Sequence, residues 1–225
     1  MKIAAAAGAV ACTTLVLSPP VDALSDASFA WHMGEHLVLL FLVPLLIVLS
    51  QPFTAFRIVA GKRATAAFVR VTRPLHVLAH PALTFSLFVG YLWLLHFSPL
   101  YESALEHPLV HAGEHLLLVV VGTLFWLPVL APPPLRPPAF PVRLFYLLLA
   151  LPQGALLGFA LGAARAPLYP HYAAVMGMQA ALADQRNGAA VMWIGGGLAV
   201  LTAFLATFGV WAARESGTAR EPLCL

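Results

Sequence analysis

Long apolar runs alternate along this chain with short clusters of proline, glycine and charge, and the length of the runs is the first informative feature. A hydrocarbon core about 30 Å thick takes roughly 20 helical residues. Five predominantly uncharged stretches of that order run from His32 to Ser50, Leu75 to Phe97, Pro108 to Leu130, Val142 to Ala163 and Gly188 to Ala213. Unpaired backbone groups are not tolerated in lipid, so each stretch is predicted to be a helix. The expected architecture is all-α: a polytopic transmembrane bundle over residues 24–215 with a short cytoplasmic tail at 216–225.

Residues 1–23 follow a different pattern. Lys2 precedes a short apolar run from Ile3 to Leu17, then Ser18, Pro19 and Pro20, and then the small-residue pattern Val21-Asp22-Ala23. This order matches a cleaved signal peptide and predicts a mature N-terminus near Leu24. As a sixth span the run is about five residues short. The apolar stretch before Cys12 is too brief for a lipoprotein site. With Cys12 inside the predicted signal and Cys224 alone near the other end, a disulfide framework is not expected and thiolate metal chemistry is disfavoured.

Composition agrees with lipid as the solvent. Apolar residues make up 61% of the 225 positions, charged residues 9%, and the mean hydropathy is +0.88. The placement of charge then sets the expected orientation. With the mature N-terminus outside, the inner loops and tail carry Arg57, Lys62, Arg63, Arg70, Arg73, Arg136, Arg143, Arg214 and Arg220, and the outer segments only Arg165 and Arg186. That bias follows the positive-inside rule. The isoelectric point near 9.1 is therefore a topology signal. No phosphate loop or basic–aromatic interleaving points to nucleic acid.

On this topology seven of the nine histidines share the outer side. His32 and His36 open the first span, His96 closes the second, His107, His111 and His115 open the third, and His171 lies in an outer loop. An i, i+4 pair sits on one helix face about 6 Å apart along the axis, which suits shared ligation. His76 and His80 repeat the spacing about a bilayer's depth away, a candidate inner site. Two outer pairs carry the same extra residue: His32-Met33-Gly34-Glu35-His36 and His111-Ala112-Gly113-Glu114-His115 both read H-x-x-E-H. Glu35 and Glu114 are expected to accept the second N–H of ligating imidazoles. Met192, near the outer end of the fifth span, is a candidate soft ligand, although methionine in an apolar bundle is more often filler.

Alternative chemistries use the same residues. H-x-x-E-H is also an inverted zinc-peptidase motif, but two copies at equivalent depth resemble two halves of one binding site more than an enzyme centre. His36 and His115 on facing helices are a possible axial pair for a b-type haem. His107 and His171 can be explained as interfacial histidines, whereas ionisable residues inside spans are costly and usually functional. Imidazole suits both copper and zinc, and the affinity order places copper above zinc.

Several separated motifs also resemble one family. Leu75-His76-Val77-Leu78-Ala79-His80-Pro81, Trp93-Leu94-Leu95-His96-Phe97-Ser98-Pro99-Leu100-Tyr101, His111 to His115 followed by Leu124-Phe125-Trp126-Leu127-Pro128, Leu168-Tyr169-Pro170-His171-Tyr172 and Ala183-Asp184-Gln185-Arg186-Asn187-Gly188, leading to Met192-Trp193-Ile194-Gly195-Gly196, stand in the order seen in multi-span CtaG-type cytochrome c oxidase assembly factors. The resemblance covers about Trp31 to Leu201. It implies a bacterial inner-membrane protein that matures haem-copper oxidase by handling copper, with oxidase subunits or other copper chaperones as partners. The family's histidines fall on His32, His36, His80, His96, His111 and His115. Its acid–amide motif falls on Asp184 and Gln185, with Asp184 expected beside the ligating imidazoles. The chain departs from the family in Leu49-Ser50-Gln51-Pro52, where relatives carry a glycine-containing turn, and in Ala189, which stands where a second glycine follows Gly188.

Overall fold

The structure is a computed structural model that describes residues 1–72 and 77–218. Eleven α-helices and one π turn carry the described chain, and no strand occurs among the described residues. They are α1 (Lys2–Val16), α2 (Pro19–Ala27), α3 (Phe29–Leu37), α4 (Val43–Ser50), α5 (Pro52–Thr72), α6 (Pro81–His96), α7 (Leu100–Glu106), α8 (Pro108–Leu130), α9 (Phe140–Gly162), α10 (Pro170–Met176) and α11 (Met178–Thr218). Four helical stretches are long and apolar enough to cross a membrane, or up to six if each of two bent pairs is one span. The bent pairs are α1 with α2, at 54°, and α6 with α7, at 63°.

Four of the five expected spans are recovered with shifted ends, and the second only if α6 and α7 together make one span. The second begins at Pro81 rather than Leu75, because proline suits the first helical position and His80 supplies an extended residue before it whose Nδ1 accepts the Ala82 N–H at 3.3 Å. Leu75 and His76 lie outside the described residues. The fifth begins at Met178, ten residues before Gly188, after Gly177 turns the chain at φ 86°. The first span ends at Ser50 because Gln51 takes a left-handed conformation, φ 51°, a role that glycine usually fills.

α3 and α4 form one span joined by a π turn, Val38–Leu42, in which the Val43 N–H reaches the Val38 carbonyl. Pro44 accounts for the widened turn: its ring would collide with the Leu40 carbonyl in a regular helix and it offers that carbonyl no hydrogen. Helix α8 uses the opening. Gly122 packs directly against the Leu40 carbonyl, a contact that a Cβ would prevent, and the Trp126 indole N–H donates to the Phe41 carbonyl at 2.9 Å. Thus a sequence defect in the first span locks it against the third, just beyond both H-x-x-E-H segments. Phe88, Phe125, Leu147 and Leu157 fill the core behind this contact. The predicted signal segment is helical as α1 and packs along α4, with Gly8 against Leu46, and Val21 to Ala23 lie within α2.

Candidate metal centre

The two H-x-x-E-H segments sit in the first two turns of α3 and α8. The start of α3 is held by a cap supplied from far along the chain. The Ser28 hydroxyl accepts the Trp31 N–H and donates to Asp184 Oδ1 at 2.8 Å, while Asp184 Oδ2 accepts the Phe29 N–H at 2.6 Å. An anion there satisfies free helix N–H groups and complements the helix dipole. Gly188, one turn on in α11, lies against the Phe29 ring with no room for a side chain. Asp184 therefore positions the first histidine pair by capping α3, rather than bonding to an imidazole as the sequence suggested. Gln185 beside it accepts the Leu168 N–H at 2.7 Å and donates to the Leu161 carbonyl at 2.9 Å, fixing the α9–α10 connection.

Four imidazoles meet below this cap. Ring centroids are 4.3 Å apart for His32 and His36, 4.1 Å for His111 and His115, 5.1 Å for His32 and His111, and 5.6 Å for His36 and His115. The carboxylates cross over: Glu114 Oε1 is 3.5 Å from His36 Nε2, and Glu35 Oε1 is 3.7 Å from His115 Nε2. All of these side chains except His111, which is half-buried, are buried. His32 Nε2, both nitrogens of His36, His111 Nε2, His115 Nε2 and all four carboxylate oxygens have no hydrogen-bond partner. An unpartnered buried polar atom costs about 1–3 kcal/mol, more when charged, so this concentration of free donors suits a bound cation. Two overlapping sets, His32 with His111 and His115, and His32 with His36 and Glu114, each place three ligand atoms within 4.8 Å of one another.

Hydrogen bonding selects the tautomer of His32. Its Nδ1 lies 3.0 Å from the Tyr172 hydroxyl, which is also 3.1 Å from the Tyr101 hydroxyl and 3.1 Å from the Ser25 carbonyl. A carbonyl only accepts, so the Tyr172 proton goes to Ser25, and His32 Nδ1–H and Tyr101 O–H donate to Tyr172. That leaves the His32 Nε2 lone pair free and aimed into the cluster. The sequence motifs included Tyr172 and Tyr101 but gave them no role. His171 next door is used structurally, with Nε2 at 2.9 Å from the Asp26 carbonyl and its backbone N–H donating to Glu102.

The remaining candidates stand apart from the four. His96 is buried, donates from Nδ1 to the Leu92 carbonyl at 2.8 Å, and holds Nε2 3.5 Å from the Met33 sulfur. The Tyr101 ring neighbours His96 as well as His32 and His36, at centroid distances of 5.9, 5.2 and 6.2 Å. His107 is exposed at the N-cap of α8, bonded to the Ser103 carbonyl. Met192 lines a small apolar cavity with Leu37, Phe41, Phe88 and Gly154, so it fills space where it was considered as a ligand. Of the suggested inner pair, His80 caps α6 and His76 lies outside the described residues. A groove of about 600 Å³, lined by Thr13, Asp22, Val43, Pro108, His111 and His115, reaches the cluster from its α1–α2 side.

Similar proteins carry little description of their own. Uncharacterized proteins of Mycobacterium bovis and Mycobacterium tuberculosis are each 28% identical over 220 residues, covering 91% of this chain and 33% of theirs. One from Mycobacterium leprae is 28% identical over 226 residues with the same coverage. The chain thus spans about a third of the length of these curated relatives. No solved structure matches. A model of the family described as cytochrome c oxidase caa3 assembly factor matches residues 1–214, and the chain belongs to that Caa3_CtaG family.

Proposed function

We propose that this chain takes up copper at the His32, His36, His111 and His115 cluster and passes it to cytochrome c oxidase during assembly, with oxidase subunits or other copper chaperones as partners. Family membership supplies the assembly role, and the observation that supports metal handling is the set of buried imidazoles and carboxylates without partners. Copper is the preferred cargo because imidazole and carboxylate donors without thiolate suit copper and zinc, and copper binds such donors more tightly. The positive-inside bias supports a periplasmic histidine end in a bacterial inner membrane, the side on which an oxidase receives copper for its electron-accepting domain.

The chain's residues divide the work. Tyr172 holds His32 with its lone pair facing inward, Glu35 and Glu114 compensate the charge of the ion, and His111 offers a half-buried first contact for copper arriving along the groove side of α8. The haem alternative fits less well. A macrocycle between His36 and His115 would need the space that the His32 ring occupies, 4.3 Å from one and 6.1 Å from the other.

The test is the double substitution His111→Ala/His115→Ala. The protein should still insert, since no backbone bond is lost and the helix becomes more apolar. Cytochrome oxidase activity should fall with the oxidase subunits still made, and added copper should partly restore it. Full oxidase activity in the double variant contradicts the proposal.

A further inference from the structure

The donor set is too large, and too divided, for one ion. Six side chains present nine unpartnered ligand atoms, whereas a four-coordinate ion takes four donors. A single six-coordinate ion would need the six groups around one point. Instead, among the described residues, the ligand atoms fall into two sets of three that share His32.

The repeat points to a division that does not share His32. Superposing one H-x-x-E-H on the other exchanges His32 with His111, Glu35 with Glu114 and His36 with His115. The two cross-helix approaches, His36 to Glu114 at 3.5 Å and Glu35 to His115 at 3.7 Å, are the two images of one contact. Both are longer than a good hydrogen bond, which ends near ~3.2 Å. Both suit two donors on one tetrahedral ion, since bonds of ~2.1 Å place neighbouring donors about 3.4 Å apart. Each contact thus marks its own centre.

We infer that the cluster holds two metal ions: one on His32, His36 and Glu114, whose ligand atoms already lie within 4.8 Å of one another, the other on His111, His115 and Glu35, where Glu35 meets His115 at 3.7 Å and turns toward His111 on loading, each helix giving its histidine pair to one ion and its carboxylate to the other. Tyr172 occupies His32 Nδ1, so His32 has one lone pair and serves one ion at a time. Because that lone pair also lies within reach of His111 and His115, His32 can exchange between the centres. Two monovalent ions would also balance the two carboxylates, which a lipid-embedded site otherwise leaves uncompensated.

This inference rests on the proposed metal-binding role of the cluster but not on the identity of the metal. Detergent-purified full-length protein would be loaded with copper(I) under anaerobic conditions, and in parallel with zinc(II), then desalted and assayed for metal per chain. Two ions per chain are expected for the unaltered protein and one for Glu114→Gln, His36→Ala, Glu35→Gln or His111→Ala. X-ray absorption should show a metal–metal scattering component that Glu114→Gln removes. The near-isosteric glutamine variants, confirmed monodisperse by size exclusion, separate ligand loss from misfolding. Saturation at one ion in the unaltered protein, or loss of all metal in each single variant, overturns the two-centre arrangement. Two zinc ions without copper binding would leave it standing and overturn the copper reading, and binding of neither metal would overturn both.

Discussion

His32 depends on a residue 140 positions away for the direction of its free lone pair. Replacing Tyr172 with Phe keeps the ring and removes that acceptor, so metal affinity should fall by roughly 10–100-fold, the usual cost of losing a ligand's outer hydrogen bond. Competition against a chromophoric chelator measures this, and unchanged affinity would show that Tyr172 only packs. Asp184 acts at the cap, so Asp184→Ala should destabilise the start of α3 by about 1 kcal/mol, with Asp184→Asn milder. A lowered melting temperature in detergent, larger for Ala than for Asn, is the expected readout. Equal melting temperatures for all three would contradict the capping role. The H-x-x-E-H segments were legible because i, i+4 spacing is local and survives in any helix. The tasks of Tyr172, Ser25 and Asp184 were not, because each depends on which distant backbone atom the fold brings to it. The sequence grouped Met192 with the ligands by depth alone and His96 by depth and the family's histidine pattern, and neither reveals which way a side chain faces.

Among the elements, the π turn and α8 form the contact that holds the two motifs together. Gly122→Ala would drive a methyl group into the Leu40 carbonyl, and overpacking of this kind costs about 1–3 kcal/mol. The variant should melt earlier and bind metal more weakly, while an equivalent change at Gly90, which has open space, should do neither. Loss of stability in both variants alike would remove the special role of this contact. Apolar run length predicted the major spans, yet it could not predict the π turn, because that turn arises from Pro44 acting on a carbonyl within an otherwise ordinary run. Cleavage after Ala23 would remove α1 and the first half of α2, and with them the Thr13 and Asp22 wall of the groove beside His111 and His115, while Ser25, Asp26 and Ser28 remain in the chain. N-terminal sequencing is expected to begin near Leu24, and an intact Met1 end would make α1 a lasting wall of that groove.

For the whole molecule, orientation decides which compartment the histidines face. A reporter fused after Arg63 or Arg136 should score as cytoplasmic and one within Ala173 to Ala183 as external, and a periplasmic result at Arg63 would reverse the proposed face. The division of basic residues made this expectation readable from sequence, because lipid insertion responds to loop charge before any tertiary contact forms. The convergence of α3 and α8 into one cluster could be read only as shared depth, since helix neighbours depend on packing throughout the bundle. The most direct measurement of the central claim is elemental analysis of protein purified in detergent from cells grown without added metal. The account predicts copper in excess of zinc and iron, with about half of it, one of the two ions, lost in His111→Ala/His115→Ala protein that is still inserted and monodisperse. Protein without copper, or a double variant that keeps its full copper content, would contradict it.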